Sequence, residues 1–376
     1  MRIGVNARLL GNAYMEGVGN YTDSILRCLT QLSPDDQFIL YTDKSDLDLS
    51  YYGPNTVSKN LLLPARHPYL WHIWFEWLMP AAMRRDNINV MFSPEGMLSL
   101  GTNIPTLMTT HDIVFEYYPQ YLKRHHAKYL MSNSKKYHDK ATHIMAVSQF
   151  TADTIEQRYH IDPSKITIAY NGCSDQLGVA SDLDKRTFAQ EMGLDAPYFL
   201  YVGSLHPRKN IKRIIEAFER LKQSYRTTHK LVLAGRLAWL SSDIEDQLSQ
   251  SVYQEDIIHL DYYRGDLNLL YNCADALIYP SLFEGFGLPV LEAMRTGTPV
   301  ITSRGSAMAE ITGTAAILID PYSVDEIIKA MNTIINNGRK IEELIKDGLV
   351  RAAHFNWQKS AQQVYCQLKL LTDRNL

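Results

Sequence analysis

Short apolar runs alternate with stretches of helical periodicity along the whole chain. In the first half, Arg2 to Asn6, Phe38 to Thr42, Val57 to Leu63, Val90 to Ser93, Thr106 to His111, His143 to Ser148 and Ile166 to Tyr170 predict strands. In the second half, Phe199 to Gly203, residues 230–235, Ile257 to Leu260, Ala276 to Tyr279, residues 298–303 and Ala316 to Ile319 do so. Between them apolar residues recur at helical spacing, as at Tyr21, Ile25, Leu29 and Leu32, or at Ile211, Ile214, Ile215 and Phe218 behind Asn210 as the expected N-cap. This alternation predicts an α/β protein whose parallel sheets are covered on both faces and bind ligands at the carboxyl ends of their strands. After residues 171–178 the chain turns polar through Lys185, which sets a first domain of residues 1–178 and a second of residues 190–356. The final helix, Gln358 to Leu371, is expected to cross back, so that residues 358–376 complete the first domain.

The densest chemistry lies in YPSLFEGFGLPVLEA, residues 279–293. A strand ends at Pro280 and Ser281, a loop carries Gly285 and Gly287, and Pro289 suits the first position of a helix because it lacks an N–H. The amides near Phe286, Gly287 and Leu288 and the positive end of the helix dipole make a site for phosphate. Glu284 in the loop and Glu292 in the expected first turn bracket it. On one continuous helix they would be about 12 Å apart, too far to share one small group, but they can hold two ends of one ligand. Arg208 and Lys209 precede another helix start, where they can reach a diphosphate, whereas Lys212 and Arg213 read as solvated. Gly17, Val18 and Gly19, in EGVGNY from Glu16, lie just before a helix, yet the loop is too long and the third glycine is missing for a dinucleotide fingerprint. His111 and Asp112 follow one strand, and Ser148 follows another as an expected helix cap. Each of these also fits a purely structural role: a satisfied histidine, a capping serine, a solvated loop acid.

Filled as EGFGLPVLE, the two glutamates and their spacing resemble the sugar-nucleotide signature of the retaining glycosyltransferases of family 4 (glycosyl transferases group 1), which have the GT-B fold. That fold is two Rossmann-like, doubly wound parallel-sheet domains facing across a cleft, an N-terminal one for the acceptor and a C-terminal one for the nucleotide-sugar donor. The resemblance implies that Glu284 receives hydroxyls of the donor sugar and Glu292 the ribose. Arg208 and Lys209 would stabilise the leaving diphosphate, with the Gly17 loop facing it from the N-terminal domain. It further implies His111 near the transferred sugar, Asp112 and Ser148 on the acceptor side, and Tyr262 and Leu267 as candidates against the base. Attack would come from the face that the leaving group vacates. The wording TTHDI and AVSQF is similar to that of mannosyltransferases of polysaccharide assembly, which favours GDP-mannose as donor and leaves a UDP-sugar open. The acceptor would be a saccharide or a lipid-linked sugar. Two rivals share the diphosphate cradle: a nucleotide-sugar epimerase on the same fold, and a non-catalytic protein that binds a sugar nucleotide or polysaccharide.

Composition narrows this further. A chain of 376 residues, 45% hydrophobic and 21% charged, has room for two cores. With 38 basic and 41 acidic residues its formal charge is −3, which gives no field for nucleic acid. Cys28, Cys173, Cys273 and Cys366 are scattered, as expected of reduced thiols in the cytoplasm. Asp-Leu-Asp occurs at residues 46–48 and 182–184 away from any nucleotide loop, so no metal or cofactor is expected to be required. No signal peptide or spanning segment is expected, and membrane contact would be peripheral, at the inner face. Two stretches bear on such contact. Residues 68–80, PYLWHIWFEWLMP, are apolar almost all round, which favours packing between layers over lying on lipid. Residues 123–140 carry six Lys and Arg against Asp139, a local charge of +5, which fits either a solvated face or attraction to anionic headgroups.

Overall fold

The structure, a computed structural model, describes residues 1–11, 15, 17–63, 68–194, 196–238 and 241–373. Glu16, the first residue of the EGVGNY motif, lies outside them. The chain forms two compact units, Met1–Gly172 with Asn356–Leu376, and Cys173–Phe355.

The first unit is built on a seven-stranded parallel sheet: β1 (Arg2–Asn6), β2 (Gln37–Thr42), β3 (Thr56–Asn60), β4 (Val90–Ser93), β5 (Thr106–Thr110), β6 (His143–Ala146) and β7 (Ile166–Ile168). Their spatial order is β3-β2-β1-β4-β5-β6-β7. β3 stops short of the expected Leu63 because Asn60 Oδ1 accepts the Leu62 N–H at 2.6 Å and Leu62 turns at φ +63°. The helix Gly17–Leu32 packs its Tyr21, Ile25, Leu26 and Leu29 inward. Its neighbour is the final helix, Trp357–Asp373, which also lies against β4, β5 and β6. That helix is fastened by Ser360 to the Tyr170 carbonyl, by Tyr365 to Asp36 at 2.8 Å and by Gln367 to Thr167 at 3.3 Å.

The second unit repeats the plan with six parallel strands: β8 (Tyr198–Val202), β9 (Lys230–Ala234), β10 (Ile257–Leu260), β11 (Ala276–Tyr279), β12 (Val300–Ser303) and β13 (Ile317–Ile319), in the order β10-β9-β8-β11-β12-β13. In the helix Ile211–Tyr225, the residues Ile211, Ile214, Ile215, Phe218 and Leu221 are fully buried, each side chain contributing about 1.5–3 kcal/mol of apolar burial. Both sheets reverse their winding direction at one place, between β1 and β4 and between β8 and β11, which is where open α/β sheets bind ligands.

Residues 68–80 divide their faces in a way the sequence reading did not anticipate. Trp71, Trp74 and Phe75 enter the core, while Tyr69, Ile73 and Trp77 lie on the surface. Trp74–Leu78 is a π-helical turn between the helices Pro68–Ile73 and Met79–Arg85. All four cysteines are free thiols. Among the described residues, no helix is long and apolar enough to cross a membrane.

Candidate functional site

In the second unit the site grows from the ends of β8 and β11. β11 is wholly buried between β8 and β12, and the loop after it is tied down from β12: Thr302 donates to the Tyr279 carbonyl at 2.8 Å and Ser303 to that of Ser281 at 2.7 Å. The loop ends at Gly287, whose φ of +91° and whose approach to Met308, 2.9 Å from an added Cβ, suit glycine alone. The helix Leu288–Arg295 follows, so Pro289 is its second residue and Glu292 its fifth. Glu292 therefore stands one turn further along than the expected first-turn acid.

After β8, Pro207–Lys209 form a 3-10 turn capped by His206, whose Nδ1 accepts the Arg208 N–H at 3.3 Å. Asn210 does precede the next helix, but its side chain caps nothing there. At φ +66° it donates instead to the carbonyls of Pro280 at 3.0 Å and Pro321 at 2.6 Å, locking the two loops together. Arg208 donates to the Phe283 carbonyl at 2.5 Å, and its own carbonyl accepts the Leu282 N–H at 2.9 Å.

This lacing brings Arg208, Lys209 and Glu284 together. Lys209 Nζ donates to Glu284 Oε1 at 2.5 Å and to the Tyr279 hydroxyl at 2.5 Å. Ser281 Oγ donates to the same Oε1 at 2.6 Å, and the Arg208 guanidinium stands 3.1 Å from it. Burial alone would raise the Glu284 pKa. The charges of Arg208 and Lys209, with the bonds from Lys209 and Ser281, outweigh burial and hold it at about 2. All of these bonds fall on Oε1; among the described residues no group bonds to Oε2. Glu292 is similar: Tyr271 donates to its Oε2 at 2.8 Å, no described group bonds to Oε1, and burial raises its pKa against that one bond. Tyr262 is exposed at φ +47°, and Leu267 opens the helix Leu267–Asn272. Arg208, Lys209, Glu284, Phe286, Gly287 and Leu288 thus share one loop cluster, with Glu292 on the helix that leaves it.

In the first unit Gly17, Val18 and Gly19 form the first turn of the helix Gly17–Leu32, not a loop ahead of it. Among the described residues, nothing stands within 4 Å of where a Cβ on Gly17 would lie. His111 follows β5, its Nε2 at 2.8 Å from the Pro94 carbonyl. A carbonyl can only accept, so the proton is on Nε2 and Nδ1 is an acceptor. Burial lowers the His111 pKa against the pull of Pro94, Asp112 and Glu95, and the Tyr21 ring packs against it at 4.7 Å. Asp112 accepts the Val114 N–H at 3.1 Å. Ser148 is fully buried and caps the helix Gln149–Tyr159 through the Thr151 N–H at 3.0 Å, so its hydroxyl is committed to structure.

Sequence reasoning missed the group at this unit's own switch point. Glu95, just past β4, takes Asn6 Nδ2 at 2.6 Å and Arg8 Nε at 2.5 Å on Oε1, and a second Arg8 nitrogen on Oε2. The signal was available, since Asn6, Arg8 and Glu95 sit at the carboxyl ends of β1 and β4 as His111 does at that of β5. Tyr271 and Ser281, which orient the two acids of the second unit, carried no comparable signal.

A family model described as Glycosyl transferases group 1 matches residues 184–350, and one described as Glycosyltransferase Family 4 matches residues 15–177. O-antigen chain mannosyltransferase B of Escherichia coli is 30% identical over 265 residues, which cover 70% of this chain and 70% of that protein. O-antigen chain mannosyltransferase RfbU of Salmonella typhimurium is 27% identical over 368 residues, or 96% of this chain and 97% of that one. A sucrose-phosphate synthase from Thermosynechococcus elongatus shares the fold with a TM-score of 0.82 over 99% of both chains at 19% identity. With both halves matched, and with two parallel sheets wound alike, the chain belongs to the family 4 glycosyltransferases and has their GT-B fold.

Proposed function

We propose that this glycosyltransferase moves mannose from GDP-mannose, with retention of configuration, to a saccharide or lipid-linked acceptor in the assembly of a cell-surface polysaccharide or glycolipid. The observation that carries the donor site is Glu284, held ionised by two cations that use only one of its oxygens. The other oxygen can accept charge-assisted bonds from sugar hydroxyls. Arg208 and Lys209 bring one more positive charge than Glu284 cancels, which suits a leaving diphosphate without calling on a divalent ion. Glu292 receives the ribose, Tyr262 and Leu267 flank the base, and the amides of Phe286, Gly287 and Leu288 face phosphate.

The first unit presents the acceptor. Neutral His111 offers Nδ1 to a sugar hydroxyl, Asp112 lies beside the acceptor hydroxyl, and the first turn from Gly17 presents N–H groups suited to a phosphate. Retention by a glycosidase needs a second carboxylate about 5–5.5 Å from the first. Among the described residues no acid shares the bonds of Glu284, and the likeness to family 4 supports same-face attack, in which the leaving phosphate takes the acceptor proton as the new bond forms. Mannose is favoured by the mannosyltransferase relatives, and a lipid-linked acceptor would set the reaction at the cytoplasmic face of a membrane.

Thermal unfolding with GDP, UDP, ADP and dTDP and their sugars, without metal and with magnesium, tests the donor. At about 100 times its dissociation constant the true nucleotide adds roughly 2.7 kcal/mol. Stabilisation by GDP and GDP-mannose without metal is expected. Stabilisation by UDP alone overturns the choice of donor. Rearrangement of the sugar nucleotide without any acceptor overturns transfer in favour of epimerisation.

A further inference from the structure

We propose that the surface formed by the helix Pro68–Ile73 with its π turn, together with the helix Arg124–Lys140, docks on an anionic lipid surface. The inference names the membrane face of the acceptor reading above and rests on that reading only for its biological setting.

Three observations carry it. First, Tyr69, Ile73 and Trp77, spaced four residues apart, are 80%, 40% and 70% exposed, while Trp71, Trp74 and Phe75 of the same segment are buried. The segment is thus anchored by one face and shows large apolar rings on the other. Its one acid, Glu76, accepts the backbone N–H groups of Leu100 at 3.0 Å and Gly101 at 2.9 Å, which withdraws that carboxylate from the face.

Second, the Arg124–Lys140 helix packs beside it, with the Trp71 ring 5.2 Å from His126 and 5.4 Å from Tyr129. Ala127, Ser134, Tyr137 and His138 hold this helix in the core. Lys123, Arg124, Lys128, Lys136 and Lys140 are exposed, and among the described residues none has an acidic partner, whereas Lys135 is paired with Asp139. Third, Lys123 is the N-cap and Arg124 the first residue of that helix, with no acid in its first turn. Cations there oppose the helix dipole unless an external anion compensates them.

Aromatic rings beside uncompensated cations match an interface of acyl chains and anionic headgroups. A second copy of this chain fits poorly, because a two-fold interface would set the same cations against each other.

Flotation with vesicles of phosphatidylcholine alone, and with phosphatidylglycerol added, tests the proposal on the full-length protein. Binding to the anionic vesicles, weakened by salt, is expected. Arg124→Ala and Lys128→Ala should each lower partitioning about five-fold, and Trp77→Ala about ten-fold, with loss of the lipid-induced blue shift in tryptophan fluorescence. Circular dichroism of each variant confirms folding. Equal binding to neutral and anionic vesicles, wild-type binding by these variants, or a Trp77-dependent dimer in solution overturns the proposal. Nucleotide stabilisation of the same samples reports on the donor site separately. Vesicle binding absent with stabilisation kept removes this surface alone; stabilisation absent with vesicle binding kept removes the donor reading alone.

Discussion

Each sheet carries a carboxylate just after the strand across its switch point, met by cations that follow the strand on the near side: Glu95 with Arg8 in the first unit, Glu284 with Arg208 and Lys209 in the second. The topological match ends at the count of charges and bonds. Glu95 meets one cation, and both its oxygens are occupied by Arg8 and Asn6, so the pair is neutral and closed. Glu284 meets two cations on one oxygen, which leaves an excess positive charge and an open acceptor atom. The same position in the same architecture thus serves as a lock in one sheet and, in the function proposed above, as a ligand site in the other. What separates them is unspent bonding capacity, not burial, since both acids are less than a tenth exposed.

Removing each carboxylate is the strongest way to break the comparison. Glu95→Ala strands a buried Arg8 and is expected to cost about 3–5 kcal/mol of stability, read by denaturant unfolding, with GDP-mannose affinity unchanged in the folded fraction. Glu284→Ala should lower turnover about 10²–10³-fold while nucleotide binding suffers less, as single-turnover kinetics and calorimetry would register. Sugar transfer by that variant at the wild-type rate would end the assignment of Glu284 to the donor sugar.

Acid sharpens the contrast. The folded pKa of Glu284, about 2, lies below its ordinary 4.5, so its contribution of roughly 3 kcal/mol is complete above pH 4.5 and is lost as pH falls towards 2. Unfolding followed from pH 6 to pH 2 should show that slope in the wild type and lack it in Glu284→Gln. His111 adds an acid loss of the same sign. Its folded pKa is lowered, so the unfolded chain binds the proton first and stability declines below pH 6.5. The smallest effect belongs to Lys209→Ala, which should weaken nucleoside diphosphate binding about ten- to a hundred-fold and leave Glu284 paired with Arg208.

Much of this was legible in the chain. Short apolar runs and period-3.6 stretches located the strands and helices because parallel strands buried on both faces and amphipathic helices leave few alternatives. The residues proposed for the donor site were legible as a cluster because they fall in two short segments, 206–210 and 281–292, each tied to a strand end. What escaped depends on contacts between distant segments. Arg8 and Glu95 are 87 residues apart, and neither segment announces the other. Asn210 was read as a cap from local propensity, yet a left-handed backbone turned its amide towards Pro280 and Pro321. Gly287 displaced the helix start by one residue from the place Pro289 suggests. The aromatic segment 68–80 defeated a single-period reading because its π turn changes the angular step midway, so that Trp74 is buried and Trp77 is not.

The Trp357–Asp373 helix belongs to the first sheet but is translated after the entire second unit. On the ribosome, therefore, residues 173–355 emerge complete while the Gly17–Leu32 helix still lacks the neighbour against which it packs, with the edge of Trp357 over Tyr21. The usual N-to-C order of domain maturation is inverted. Until the Trp357–Asp373 helix is made, the earlier-made half exposes the apolar face that this helix will cover, and it is this half that chaperones or a truncating nonsense mutation would find unfinished.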